Sequence, residues 1–249
     1  MRVKAIIVDL DRTLLRTDKS LSAYTLRTLR KCQETGMLLL AATARPERSI
    51  TTYREQIGFG AVTAMNGARV LLPDRTLENG LSRASGEEML ARLAAVEPDA
   101  LISLETSEGA YANAPIPEWN CRFYDRFPAL PAGIVYKILV SRDGEPVPVE
   151  NILTRDAYCT IANGRFSQIM SREATKWKGV QAMLAAFGIP PSEAVYFGDD
   201  YDDIEPIQKC GMGIAVANAI PEALASAKYI ARSNDEDGVA HFLEEHLLL

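Results

Sequence analysis

The stretch VKAIIVDLDRTLL, residues 3–15, decides how the rest of the chain is read. Apolar, largely β-branched residues run to Val8, as in a strand buried on both faces. Asp9 and Asp11 then arrive two positions apart, followed by Thr13. Charge is costly inside a core, so these carboxylates belong at its rim, beyond the end of the strand, where a divalent cation can neutralise them.

The same rhythm continues outward. Residues 21–35 predict a helix, with apolar positions at Leu21, Tyr24, Leu26, Leu29 and Cys32 and a stop at Gly36. MLLLAAT (37–43) is the next strand, and Pro46 suits the first turn of a following helix. A strand is expected near 61–64, before a turn at Asn66-Gly67-Ala68. Late in the chain, Thr175 caps a predicted helix over 176–187, AVYFGDD (194–200) is a strand, 202–209 a helix and 212–219 a strand leading into PEALASA. This alternation predicts an α/β fold, a Rossmann-like three-layer core with helices on both faces of a parallel sheet. The middle differs. Helical patterns at 86–96 and 149–158 lie among short strands such as ALISLET, GAYANA, IVYKILV and RFSQIM, with prolines at 115, 117, 128, 131, 146 and 148. The expected organisation is a core of 1–80 and 172–249 with a smaller α+β module, 81–171, inserted.

The chain has 249 residues, 47% hydrophobic and 24% charged, with a net charge of −6. That balance argues against nucleic-acid binding. Cys32, Cys121, Cys159 and Cys210 show no metal-site spacing and read as thiols of a reducing compartment. No apolar run approaches the ~20 residues of a membrane span, and Asp9 and Asp11 interrupt any leader-like pattern. A cytoplasmic protein, monomer or homodimer, is expected.

In an open parallel sheet, ligands bind beyond the carboxyl ends of the strands. Three strands deliver polar residues there: Asp9 and Asp11, then Thr43 with Arg45, then Asp199 followed by Asp200, Asp202 and Asp203. Lys176 begins a helix between them. Taken singly, each has a plainer explanation as a cap, a turn residue or a solvated helix start. Taken together and in order, they suit phosphoryl chemistry. Asp9 and Asp199 offer hard oxygen ligands, a carboxylate can attack phosphorus, Thr43 offers a hydroxyl, and Lys176 adds a point charge.

In these motifs the sequence resembles the haloacid dehalogenase superfamily of aspartyl-phosphate phosphohydrolases, and within it the Cof-like sugar-phosphate phosphatases with an α/β cap. DLDRT (9–13) is similar to that family's DxDxT, AATARP (41–46) to its second motif, MNGA (65–68) to its N-G-A turn, and GDDYDD (198–203) to its GDxxND. The resemblance implies a Mg²⁺-dependent phosphatase acting on a small phosphorylated metabolite, a sugar or polyol phosphate. It implies Asp9 as nucleophile and Asp11 as general acid and base. Thr43, the Ala44 N–H and Lys176 would bind phosphate. Asp9, the Asp11 carbonyl and Asp199 would hold Mg²⁺, with Asp203 in support. Lys178 is the competing lysine, but the count back from Gly188 favours Lys176.

Arg45, Asn66 and Asp202 are candidate substrate contacts, with Arg122 and Lys137 from the cap and EWNCRFYDRFP (118–128) as a specificity loop. Three positions depart from the family pattern: Arg12 and Ala44 stand where glycine is common, and Asp202 where asparagine is. A phosphomutase using the same aspartyl-phosphate, a phospho-accepting signalling domain and a phosphate-binding non-enzyme are the alternatives.

Overall fold

Strand β1 is Ala5–Val8, and all four residues are buried. Its alternation explains the layering. Ile6 and Val8 join one apolar cluster, while Ala5 and Ile7 join another on the opposite face. The computed structural model of the chain describes residues 3–116, 119–162 and 164–248. After β1 come α1 (Ala23–Glu34), β2 (Leu38–Ala42), α2 (Thr51–Ile57), β3 (Ala61–Ala64), β4 (Arg69–Leu71) and β5 (Thr76–Glu78). The middle of the chain holds α3 (Arg83–Val96), β6 (Leu101–Thr106), β7 (Gly109–Ala112), β8 (Arg122–Phe123), β9 (Val135–Arg142), β10 (Glu145–Pro146), β11 (Ala157–Ala162) and β12 (Phe166–Ser171). It closes with α4 (Lys176–Ala186), β13 (Ala194–Gly198), α5 (Ile204–Lys209), β14 (Met212–Val216), α6 (Pro221–Ser226), β15 (Tyr229–Ala231) and α7 (Gly238–His246).

Contacts divide the chain into two compact units, Met1–Leu77 with Thr175–Leu249, and Glu78–Ala174. The first is built on the sheet order β15-β14-β13-β1-β2-β3-β4-β5. Strands β15 to β3 are parallel, and β4 turns back antiparallel on β3. Leu29 of α1, Ile57 of α2 and Phe242 of α7 pack one face, and Met183 of α4, Ile207 of α5 and Ala223 of α6 pack the other. This is the mixed α/β, three-layer arrangement. β1 is flanked by β2 on one side and β13 on the other, so the chain reverses its direction of sheet-building there. Such a reversal opens a crevice at the carboxyl ends of the strands.

The second unit is a sheet ordered β11-β12-β9-β6-β7-β8, with β10 paired to β9. Met89, Leu90 and Leu93 of α3 cover one face, against Ile102, Leu104, Ile138, Val140 and Ile169. The units change at Leu77/Glu78 and Ala174/Thr175, three residues outside each limit expected for the insert. Side chains account for both joints: Tyr136 Oη donates to Glu78 at 2.6 Å, and Tyr158 Oη donates to the Ala174 carbonyl at 2.7 Å.

The helix expected over 149–158 does not form; residues 150–152 and 155–156 are turns and β11 begins at Ala157. Val147, Val149 and Ile152 still bury into the unit's core, so the apolar spacing reflects packing of an irregular segment. Pro146 and Pro148 leave it no helical lead-in. Pro46 precedes a 3₁₀ turn, Glu47–Ser49, and α2 starts only at Thr51. Among the described residues, no helix is long and apolar enough to cross a membrane.

Candidate active site

The Asp9 N–H donates to the Phe197 carbonyl at 2.9 Å, so the β1–β13 pairing carries one residue past β1 and sets Asp9 beside the end of β13. Asp199 follows β13, and Thr43 follows β2, its N–H donating to the Thr63 carbonyl at 2.9 Å. Thr175 caps α4 by accepting from the Lys178 N–H at 3.1 Å, which places Lys176 in the first turn. A close approach makes this possible: a Cβ on Gly67, at φ +93°, would lie 2.2 Å from the Thr175 carbonyl oxygen. Only glycine fits the Asn66-Gly67-Ala68 turn there.

Lys176 Nζ donates to Asp9 Oδ1 at 3.0 Å and to Asp203 Oδ1 at 2.6 Å, and all three side chains are buried. Lys178 is exposed. Asp203 is fully engaged: Oδ1 also accepts from Tyr196 Oη at 2.6 Å, and Oδ2 accepts the Asp199 and Asp200 N–H groups at 3.0 and 3.1 Å. It fits under Gly198, where a Cβ would meet Asp203 Cβ at 2.4 Å. Asp199 accepts from Thr13 Oγ1 at 2.8 Å.

Each of Asp9, Asp199 and Asp203 offers an oxygen within 4.8 Å of the others. Burial raises the Asp9 carboxyl well above its ordinary range; Lys176 pulls against this, and Asp203 and Asp199 add to it. Burial and Asp203 push Asp199 up to about 6. Burial works against the Lys176 ammonium, but Asp203, Asp9 and Asp202 outweigh it, so the lysine stays charged. Three buried carboxylates therefore face one buried cation. Hard, oxygen-only donors with surplus negative charge fit a divalent cation. Asp9 and Asp199 have the free oxygen capacity to ligate it, whereas Asp203 has spent its own on Lys176, Tyr196 and two amides.

Asp11 is placed differently. Arg45 grips it with two bonds, Nε to Oδ2 at 2.6 Å and Nη2 to Oδ1 at 2.7 Å, and Lys19 Nζ donates to Oδ1 at 2.7 Å. Burial would raise this carboxyl, but these two cations lower it to about 2. Asp11 is thus ionised and clamped. Arg45, expected on the substrate, is here a partner of Asp11. Asn66 Nδ2 likewise donates to Asp202 Oδ2 at 2.5 Å, which links two of the expected substrate contacts to each other. The other amide atom, Asn66 Oδ1, is buried without a partner. Thr43 Oγ1 accepts the Arg45 N–H at 3.1 Å, and its carbonyl accepts from Asn66 N at 3.0 Å. Ala44, next in the loop, is exposed. Arg122 and Lys137 lie in the second unit. Pro117 and Glu118, at the head of the expected specificity loop, lie outside the described residues.

Arg12 takes φ +60°, the left-handed conformation that glycine adopts without strain. Asn218 holds it there, accepting from Arg12 Nη2 at 3.1 Å and donating to the Arg12 carbonyl at 2.8 Å. The guanidinium sits 3.7 Å from Asp199 Oδ2.

Sequence reasoning missed Lys19, Tyr196 and the hold of Thr13 on Asp199. Tyr196 had a signal: a polar-tipped ring in an otherwise apolar strand. Replacing it by phenylalanine removes a donor from a buried carboxylate. Tyr196→Phe is expected to lower stability by about 2 kcal/mol in urea unfolding, and an unchanged midpoint would contradict the bond.

The family model described as haloacid dehalogenase-like hydrolase matches residues 6–130 and 135–243. The chain is 25% identical to 5-amino-6-(5-phospho-D-ribitylamino)uracil phosphatase YitU of Bacillus subtilis, over 98% of this chain and 97% of that protein. Among solved structures, a haloacid dehalogenase-like hydrolase from Bacteroides thetaiotaomicron superposes with a TM-score of 0.83 at 24% identity, covering 98% of this chain and 99% of that one. A subclass IIB sugar phosphatase gives a TM-score of 0.80 at 18% identity, over 99% and 100%. At these identities the superpositions show a shared fold.

Proposed function

The chain belongs to the haloacid dehalogenase-like hydrolases, a family of phosphatases and phosphotransferases, and we propose that it is a cytoplasmic, Mg²⁺-dependent phosphatase of a sugar or polyol phosphate, working through an aspartyl-phosphate. The observation that carries this reading is the buried group of Asp9, Asp199, Asp203 and Lys176 at the ends of β1 and β13. YitU acts, by its name, on a phosphorylated ribityl compound, which supports a polyol phosphate.

Asp9 is the nucleophile. Its oxygen forms a bond to phosphorus as the bond to the substrate oxygen breaks, and the phosphoryl group passes to the carboxylate. Lys176 holds Asp9 in line and offers its charge to the phosphoryl oxygens, with the Thr43 hydroxyl and the Ala44 N–H. Asp11 gives a proton to the departing alcohol and later takes one from the water that attacks the aspartyl-phosphate. For this Asp11 must leave the grip of Arg45 and Lys19, so the clamped form is a resting state. Held by Asp9, Asp199 and the Asp11 carbonyl, with Asp203 in support, Mg²⁺ would supply charge neutralisation for the anionic phosphoryl group. The α+β unit, expected at 81–171, serves as a cap that excludes water and selects the leaving group.

Phosphate release from a panel of phosphorylated sugars, polyols and nucleotides tests the proposal. Release should require Mg²⁺, stop with excess EDTA, and be fastest for sugar or polyol phosphates. Isomerisation activated by a bisphosphate, without net phosphate release, would make the chain a mutase instead.

A further inference from the structure

Arg12 brings a second cation to the carboxylate group at the ends of β1 and β13, and its surroundings fix that charge in place. Its Nε lies 3.7 Å from Asp199 Oδ2, while Thr13 Oγ1 donates to the other oxygen, Oδ1, at 2.8 Å. Arg12 Nη2 donates to the Asn218 carbonyl at 3.1 Å, and Asn218 Nδ2 donates to the Arg12 carbonyl at 2.8 Å. Asn218 belongs to the loop between β14 and α6, and the same loop grips Asp199, whose carbonyl accepts the Ile220 N–H at 2.9 Å. Asn218 is anchored in turn. Its Oδ1 accepts the Asn234 N–H at 2.9 Å, and buried Asn234 donates from Nδ2 to the Leu15 carbonyl at 3.0 Å. One loop therefore positions both the guanidinium and the carboxylate that it faces.

The Arg12 backbone, at φ +60°, carries strain that a glycine would not, and strain of this kind gathers at functional sites. The Arg12 side chain is 59% exposed, so its pair with Asp199 adds little to the stability of the fold. Its effect falls on what Asp199 binds. Asp199 is one of the carboxylates that offer an oxygen to a divalent cation, and a guanidinium and a dication on one carboxylate repel each other. We propose that Arg12 is a positioning residue that steadies Asp199 in the metal-free protein and, by its charge, weakens the binding of a divalent cation there. This rests on the reading of Asp9 and Asp199 as the cation's ligands. Glycine at this position would leave Asp199 without the counter-charge, so the chain needs more Mg²⁺ than its glycine version would.

Calorimetric titration of Mg²⁺ alone into the wild type, Arg12→Gly, Arg12→Gln and Arg12→Lys tests this. Because the side chain is exposed, all four proteins should unfold at closely similar temperatures in EDTA. Even at the dielectric of water, repulsion between a unit charge and a dication on one carboxylate amounts to roughly tenfold in affinity. Arg12→Gly and Arg12→Gln should each bind Mg²⁺ about tenfold tighter than the wild type, and Arg12→Lys, which keeps the charge, within about threefold of it. Tightening in Arg12→Gly alone would assign the effect to relief of the backbone and overturn the proposal. Unchanged or weaker binding in both neutral variants would overturn it as well, as would Arg12→Lys binding as tightly as they do. Phosphate release by the wild type is followed separately. Affinities that track the charge, with no release from any phosphate ester, would uphold the role of Arg12 and refute the phosphatase reading. Release with affinities indifferent to the charge would do the reverse.

Discussion

Asp9→Asn is expected to reduce turnover to background while leaving the metal-free protein at least as stable as the wild type. An amide oxygen is a poor nucleophile toward phosphorus, so the loss should be roughly 10⁴-fold or more. The stability expectation comes from the charges. Asp9 is buried beside Asp199 and Asp203 with Lys176 as its buried counter-charge, and burial already opposes its ionised form. Asparagine keeps an oxygen for Lys176 and can turn its amide N–H groups toward the neighbouring carboxylates, which removes one unit of repulsion. In EDTA the variant should unfold at the same temperature as the wild type or higher. Adding Mg²⁺ should raise the wild-type Tm and raise the variant's less, because one ligand has lost its charge. Residual activity within tenfold of wild type would remove Asp9 as nucleophile. A collapsed Tm in EDTA would show instead that the carboxylate holds the fold together, against the usual trade between site function and stability.

What the sequence revealed and what it hid follow one physical division. The ends of β1, β2 and β13 were legible because a strand buried on both faces can deliver a charge only where it leaves the core. Asp9, Thr43 and Asp199 are the first polar residues to do so. The cap at Thr175 located Lys176 in the same way, through a local pattern. Lys19, and the pairing of Arg45 with Asp11, were hidden because the position of Asp11 is set by loop conformation: Lys19 reaches it from a backbone at φ +69°. Nothing in residue spacing encodes that angle. The bond between Asn66 and Asp202 joins residues 136 positions apart and depends on how two turns meet. In the second unit, apolar spacing at 149–158 looked helical, but Val149 and Ile152 meet the core from an irregular segment. Spacing reports which residues are buried, and regular backbone is only one way to bury them.

Lys176→Met should be the most damaging substitution in the chain, and it separates two roles that the wild-type lysine combines. Methionine fills much of the same volume without charge, so packing around α4 is largely kept. Asp9 and Asp203 then lose their shared donor inside the core, where their side chains are no more than 6% exposed. Removing one partner of a buried ion pair costs about 3–5 kcal/mol, and Asp199 nearby adds a third carboxylate with no buried cation left. Urea unfolding in EDTA should show that loss, whereas Lys178→Met, on the exposed side of the same turn, should stay within about 0.5 kcal/mol of wild type with ordinary activity. Mg²⁺ should restore part of the stability of Lys176→Met, because a divalent cation meets the same surplus charge. It should not restore turnover, because the phosphoryl oxygens still lack the ammonium and Asp9 is no longer held in line. If activity returned with stability on adding Mg²⁺, Lys176 would be a counter-ion of the fold and nothing more. If stability returned alone, the lysine acts on the phosphoryl group itself.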